Sequence, residues 1–506
     1  MASILPTRIF PIGIQSFEQL RTNHYVYVDK TRLVYQLANT SRISFLSRPR
    51  RFGKSLLLST LKAYFEGKKH LFEGLAIEEL EREWTVYPVL HLSFARTRYT
   101  EVRDLEGLLN IQLLEWEKLY GHEPSESTYT ERFDGIIRRA SQQTGREVVI
   151  LIDEYDSPIL DSTNSQELQK ALRLIMRGFF SPLKDNVERI RFLFITGITK
   201  FSQMSIFSEL NNLDDISMED DYAAICGITE TELFTELKED IQALARRRDE
   251  TYEEACAHLK RMYDGYHFTD LSEDIYNPFS IINVLKKKAY GSYWYATGTP
   301  TFLIELLRER NIEIPDLEHC KTSGAAFDQS TDTLTDPLPV LYQSGYLTIK
   351  SYKNGTYILG FPNDEVRHGF LYSLLPSITG SSAIENNISI TAMQEALDAG
   401  DVEKCLARMR SFVASIPYEN YKEVNDESRF ESIFYILFTL MGQAVHTQVK
   451  TSAGRADAIV TTTEYIYVFE FKVDSSPEEA LAQIDKKGYA IPYEADGRKV
   501  VKVGVN

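Results

Sequence analysis

The chain has 506 residues, 43% hydrophobic and 25% charged, an ordinary composition for a soluble globular protein with room for about three domains. Its formal net charge of -17 argues against a general nucleic-acid coat, because phosphate contacts need clustered Lys and Arg, but not against an enzyme with local basic residues. No signal-like opening, no apolar stretch fit to span a bilayer and no CxxC pair among Cys226, Cys256, Cys320 and Cys405 together predict a cytoplasmic protein with no membrane partner, no zinc site and no disulfide framework.

In chain order, residues 25–37 read as a short strand or turn entering a helix. "ISFLS" (43–47) reads as an apolar strand, and Leu57, Leu58, Leu61 and Phe65 mark a helix over 54–65. "VYPVLHLSF" (86–94) is a second strand and 101–119 a helix. "EVVILIDEYD" (147–156) opens with the continuous apolar run of a strand buried on both faces of a parallel sheet, and "RIRFLFITGIT" (189–199) is another. This alternation predicts a doubly wound α/β domain over residues 1–215. Helices follow over 216–310: two amphipathic ones in 230–263, an aromatic, Gly-centred turn "YDGYHF" (263–268), and more helix over 279–309. In 311–378, "PVLYQSGYLTIKSYKNGTYILGFP" (339–362) is a helix end and a hairpin turned at "KNG", consistent with a winged-helix-like module or with a bare structural hairpin. "TGSSAIENNIS" (379–389) reads as a polar linker. A second α/β unit over 390–506 has helices at 390–414 and 427–441, a β-hairpin region at 445–473, a helix at 477–489 and a last strand at 499–505.

Two charge constellations carry chemistry. Residues 42–54 hold Arg42, Arg48, Arg50, Arg51 and Lys54 and no acid, one concentrated anion site in an acidic chain. Gly53, Lys54 and Ser55 match the end of the phosphate-loop template G-x-x-x-x-G-K-[ST], between a strand and a helix as it requires, while Arg48 stands at the first glycine. An ordinary basic turn is the other reading of the stretch. As a phosphate loop, the backbone N–H groups of Arg51, Phe52, Gly53, Lys54 and Ser55 would face phosphates at the helix N-terminus, with local arginines, Arg50 and Arg51 among them, offsetting the lost glycine. Lys54 would reach the β/γ-phosphates and the Ser55 hydroxyl would ligate Mg2+. Asp153 and Glu154 end a buried strand, where open α/β sheets bind ligands. Asp153 would hold the Mg2+ shell and Glu154 would orient or deprotonate the attacking water. Thr196 and Thr199 are candidates to sense a γ-phosphate, Lys200 a weaker one; each also suits a plain turn.

The second constellation is "GRADAIVTTTEYIYVFEFKVD" (454–474). Glu470 and Lys472 share one face of a strand, opposite Tyr465, Tyr467, Phe469 and Phe471, with Asp457 on the preceding strand. Charges among core aromatics are costly unless paired or metal-bound. D…E-x-K is the set needed for Mg2+-dependent phosphodiester hydrolysis: Asp457 and Glu470 hold the metal, and Lys472 positions or activates water. Ser476-Pro477 starts a helix that brings Gln483 and Lys487 near. Glu431, preferred to Glu427, would add a third carboxylate. A surface hairpin of alternating charge is the plainer alternative.

"FPIGIQSFEQLRTNHYVYVDKT", "FLSRPRRFGKSLLLSTLKAYFEG", "VILIDEYDSPI" and "TKFSQMSIFSELNNLDDIS" closely resemble the AAA-ATPase-like family of bacterial proteins, in which the RPRRFGKS form is usual. "GRADAIV…YVFEFKVD…EEALAQIDKKGYA" resembles the PD-(D/E)XK nuclease domain fused at the C-terminus of that family. The resemblance implies a P-loop ATPase core with a helical lid and a winged-helix-like region, then a restriction-endonuclease-like domain. Residue by residue, it carries phosphate binding to Gly53, Lys54 and Ser55 and the acidic strand tip to Asp153 and Glu154. The nuclease core falls on Asp457, Glu470 and Lys472, its helix position on Gln483, and the early carboxylate on Glu431; no arginine finger is assigned. The expectation is ATP and Mg2+ as cofactors and ATP-gated cleavage of nucleic acid, DNA favoured, in mobile-element maintenance or defence. The rival is a nucleotide-controlled switch or scaffold whose nuclease-like domain is not catalytic. A homo-oligomer is left open.

Overall fold

A computed structural model describes residues 8–200, 206–207, 210, 213–295, 314–324, 337–414, 426–441, 444–451, 454–472 and 476–505. The chain divides into two compact units, residues 1–294 with 320–365, and residues 295–319 with 366–506.

The first unit is built on a five-stranded sheet of β1 (Ile43–Ser47), β2 (Val89–Ser93), β3 (Val148–Asp153), β4 (Ile190–Gly197) and β5 (Asp214–Asp215), in the order β2-β3-β4-β1-β5. All its pairings are parallel. β1 and β3 are buried at every residue, because helices cover both faces. Leu109, Leu113, Phe133, Ile137 and Phe179, from helices Val102–Tyr120, Tyr129–Thr144 and Gln166–Phe180, pack with Leu193 and Ile195 of β4. On the other face, Phe65 of helix Lys54–Phe65 meets Phe192 with ring centroids 5.2 Å apart. Parallel registry aligns the strand exits: Ser47 with Gly197, and Ser93 with Asp153. Basic loop and acidic tip therefore share one edge of the sheet.

The stretch 230–263, expected as two helices, forms three: Glu230–Glu236, Lys238–Arg248 and Tyr252–Tyr263. Capping boxes Thr229/Glu232 and Thr251/Glu254 start the first and third, and the chain breaks at Leu237. Helix Pro278–Lys287 ends where Lys288 turns left-handed, φ 51°, so the helix expected to 309 stops early; residues 296–313 lie outside the described residues. β6 (Ile228–Thr229) and β7 (Ile275–Tyr276) make a short antiparallel pair. The expected hairpin is present as β9 (Thr348–Lys353) and β10 (Thr356–Gly360), turned at left-handed Asn354 and Gly355. β8 (Cys320–Ser323), too short to be noticed in the sequence, completes the sheet β8-β10-β9.

In the second unit, the region expected as a hairpin holds three strands: β11 (Ala444–Thr451), β12 (Gly454–Thr461) and β13 (Tyr465–Phe471). β14 (Lys499–Val505) joins β13 in parallel. Phe434 and Phe438 of helix Asp426–Leu440 pack on Phe469, while Ile484 of helix Pro477–Lys487 packs with Ile459, Ile466 and Val468. Most of the expected linker is helix: Ala383–Asp398 starts at a capping box of Ser382 and Glu385. Its polar look comes from a cap and an exposed first turn. No helix among the described residues is long and apolar enough to cross a membrane, and the four cysteines form no disulfide.

Candidate functional site

β1 runs into the basic loop, which turns through left-handed Arg51, φ 68°, and Gly53, φ 99°. Gly53 caps helix Lys54–Phe65, and its backbone explains why a glycine stands there. The concentrated anion site expected over residues 42–54 shrinks to Arg50, Arg51 and Lys54. Arg42 lies at the far end of β1, bonded to the carbonyls of Ile190 and Val187, each at 2.7 Å, and to Glu147 at 3.0 Å. Five strand residues put about 16 Å between it and the loop. Arg48 is buried and donates to the carbonyls of Ser47 (2.9 Å), Ser217 (2.7 Å) and Tyr222 (3.2 Å), with its guanidinium 4.1 Å from the Phe268 ring centre. It replaces the template glycine as a bolt beneath the loop rather than as a phosphate ligand. The Phe52 side chain is likewise packed away, edge-on to Tyr266 and Phe268. The aromatic turn 263–268 thus backs the loop.

The buried Lys54 ammonium donates to the carbonyls of Arg48 (2.8 Å) and Pro49 (3.1 Å). Burial lowers its pKa, opposed by Glu154, Asp153 and Asp156. Asp153 is buried and accepts from the Thr196 hydroxyl at 2.8 Å. Glu154 has a left-handed backbone, φ 51°; burial raises its pKa, with Lys54 opposing. Thr199, expected to sense phosphate, is fully buried and donates its hydroxyl to Asp156 at 2.8 Å. Both threonine hydroxyls are therefore spent on the acidic turn. Lys200 pairs with Asp215 at 2.6 Å, and its N–H reaches Gln343 at 2.9 Å.

Beside the loop lies a cavity of about 400 Å³ bordered by Arg50, Arg51, Gly53, Lys54, Ser55 and Glu154. Asp153, Phe52 and Thr199 are not in its wall. Two stretches that carried no expected role complete it: residues 11–15, and Pro278, Phe279 and Ile282. Their sequence signals were a Pro/Gly-rich turn and the Asn277-Pro278 helix start, where Asn277 caps Phe279 and Ser280. The Arg51 guanidinium lies 4.7 Å from the Phe279 ring centre. An apolar cavity of about 100 Å³, lined in part by Val26, Val28, Leu57, Ile228 and Ile282, borders the same Gly53. Lys54, Ser55 and the neighbouring acids are the hard oxygen and cationic groups a metal-bound polyphosphate needs.

In the second unit, Asp457 and Glu470 lie one step beyond the Ala458–Phe469 pair of β12 and β13, so they face each other across the strands. The buried Glu470 accepts from Lys472 at 3.0 Å and from Gln483 through the same Oε1. Its Oε2 is buried without a partner among the described residues. Asp457 accepts from the Phe471 N–H at 2.8 Å. Burial raises the Glu470 pKa, opposed by Lys472 and reinforced by Asp457. A buried, unsatisfied carboxylate oxygen facing a second carboxylate fits a divalent cation. Glu431 lies on helix Asp426–Leu440, its side chain outside the described residues, as is that of Glu427. Lys487 is exposed in the last turn of its helix. No group of three or more His, Cys, Asp or Glu is placed to hold a metal ion by itself among the described residues.

Residues 11–207 match the family model described as predicted AAA-ATPase, and residues 425–506 match that of the PD-(D/E)XK nuclease superfamily. An uncharacterized protein in the vnfD 5' region of Azotobacter chroococcum mcd 1 is 37% identical over 510 residues, spanning 98% of this chain and 95% of that protein.

Proposed function

Because the chain belongs to the family of predicted AAA-ATPases that end in a PD-(D/E)XK nuclease superfamily domain, we propose that it binds and hydrolyses ATP and that this gates cleavage of nucleic acid, DNA in the first instance. The observation that carries the proposal is the presence on one chain of two separate sites, each joining a lysine to two carboxylates of which one is buried: Lys54 with buried Asp153 and half-buried Glu154, and Lys472 with buried Glu470 and half-buried Asp457.

In the first site, Arg50, Arg51 and Lys54 neutralise phosphate charge, and the adjoining apolar cavity receives the base. Glu154, whose proton affinity is raised by burial, takes a proton from the attacking water. In the second, Lys472 and Gln483 hold Glu470 in place, and Lys472 steers a water toward the phosphodiester. Ser55 and Asp153 in one site, and Asp457 and Glu470 in the other, would hold Mg2+, which when bound would supply Lewis-acid polarisation of phosphoryl oxygens. The regions 216–310 and 311–378 act as helical lid and winged-helix-like module.

The purified protein with Mg2+ and ATP is expected to nick or cut DNA. Lys472→Ala should abolish cutting and leave ATP binding intact, whereas Lys54→Ala should weaken both ATP binding and ATP-stimulated cutting. Failure to cleave any DNA or RNA while ATP is turned over would favour the rival, a nucleotide-controlled switch or scaffold. The double hold on Glu470 Oε1 and the net charge of -17 are what speak for that rival.

A further inference from the structure

We propose that Asp156 is a positioning residue that latches the turn after β3 to the turn after β4, and thereby holds Glu154 in its left-handed backbone at the edge of the phosphate cavity. The inference rests on the nucleotide-site reading above and deepens it.

Five hydrogen bonds cross between the two turns just past Glu154, all of them made by Tyr155 and Asp156. The Tyr155 N–H donates to the Thr196 carbonyl at 3.1 Å, and the Tyr155 hydroxyl to the Thr199 carbonyl at 2.9 Å. Asp156 Oδ2 alone accepts three: from the Ile198 N–H at 3.0 Å, the Thr199 N–H at 2.7 Å and the Thr199 hydroxyl at 2.8 Å. Asp156 is 1% exposed, so these bonds exclude water. Gly197 makes the approach feasible. A Cβ there would stand 2.6 Å from the Tyr155 ring and 2.8 Å from Asp156 Oδ1. Within the same junction, Thr196 donates to Asp153 at 2.8 Å. Asp153 is thus pinned on one side of Glu154, and Tyr155 and Asp156 on the other. Glu154 must span between them, and the short way is a backbone its side chain disfavours, φ 51°. In that conformation Glu154 lines the cavity together with Lys54, and its carboxylate accepts from the Ser157 hydroxyl at 3.3 Å.

A latch needs an acceptor at position 156, not a charge. Asp156→Asn keeps the oxygen and should retain turnover close to wild type. Asp156→Ala should lower kcat for ATP about tenfold or more while nucleotide affinity, measured separately with a non-hydrolysable ATP analogue, moves by less than about threefold. Thr199→Val, which removes one of the bonds and keeps the shape, should lower kcat in the same sense, and Thr199→Ser should restore it. This covers the case in which Asp156→Ala does not fold. Loss of affinity and turnover in equal measure, or unchanged turnover in Asp156→Ala and Thr199→Val, overturns the proposal. Crystal structures of the nucleotide-free variants report the latch independently of catalysis. The proposal expects Glu154 to relax to a right-handed backbone, and a left-handed Glu154 in both overturns it even if the wild-type protein hydrolyses no ATP.

Discussion

Asp264 ends helix Tyr252–Tyr263 with both carboxylate oxygens buried. Burial pushes its pKa up to about 6 from an ordinary 3.8, helped by Asp274 and Glu230 and opposed by the Gly265 N–H and Lys260. A raised carboxylate pKa favours the folded state while the group is protonated, so its contribution is present below the unfolded value and is lost as pH climbs through the folded one. Here that window runs from 3.8 to about 6, and the ionised group costs about 3 kcal/mol above it. Asp264→Asn should therefore melt higher than wild type at pH 8, and the gap should close toward pH 4. Calorimetry across that range is the check; a gap independent of pH would refute burial as the cause. Glu154 shows the same logic at the site itself. Its raised pKa suits a base, and its left-handed backbone costs about 1–3 kcal/mol that the surrounding hydrogen bonds offset.

At the scale of elements, the buried strands were legible because a strand covered on both faces is apolar at every position, a local property of its own residues. β1 and the helix Lys54–Phe65 have the bounds expected of them. The first two turns of helix Ala383–Asp398, expected to begin only at 390, were missed because they are polar and Ile384 and Ile388 are exposed, which hides the helical period. The signal that could have found them is Ser382 three residues before Glu385, a capping box. Ser382→Ala should destabilise the second unit by about 1 kcal/mol, seen as a lower urea midpoint for that unit's transition. An unchanged midpoint would mean that the packing of Asn386, Ile390 and Met393 alone holds the helix.

At the scale of the whole molecule, the two lysine–carboxylate sites belong to different compact units, so the proposed gating is a coupling between them. Thermodynamic linkage makes such coupling reciprocal. If ATP strengthens nucleic-acid binding, nucleic acid must strengthen ATP binding by the same factor. Titrating an ATP analogue with and without a DNA duplex, on the Lys472→Ala protein so that the duplex survives, should show equal factors both ways. ATP affinity unmoved by DNA that binds ATP-dependently is thermodynamically inconsistent with that scheme and would refute it.

Sequence alone determined four of the five strands of the parallel sheet, all but the two-residue β5, that a Gly-Lys-Ser turn and an Asp-Glu tip leave that sheet, and that an E-x-K strand follows an Asp-bearing one. Each of these lies in a run of neighbouring residues whose pattern is its own cause. Tertiary structure alone decided what the charges do. Arg48 counted toward the basic anion site until carbonyls of residues 217 and 222 took up its donors. Thr199 looked like a sensor until Asp156 claimed its hydroxyl. The cavity wall drew on residues 11–15 and 278–282, far apart in the chain. A polar side chain bonds whatever the fold brings within about 3 Å, and those partners are set by chain closure over long separations, which no local pattern encodes.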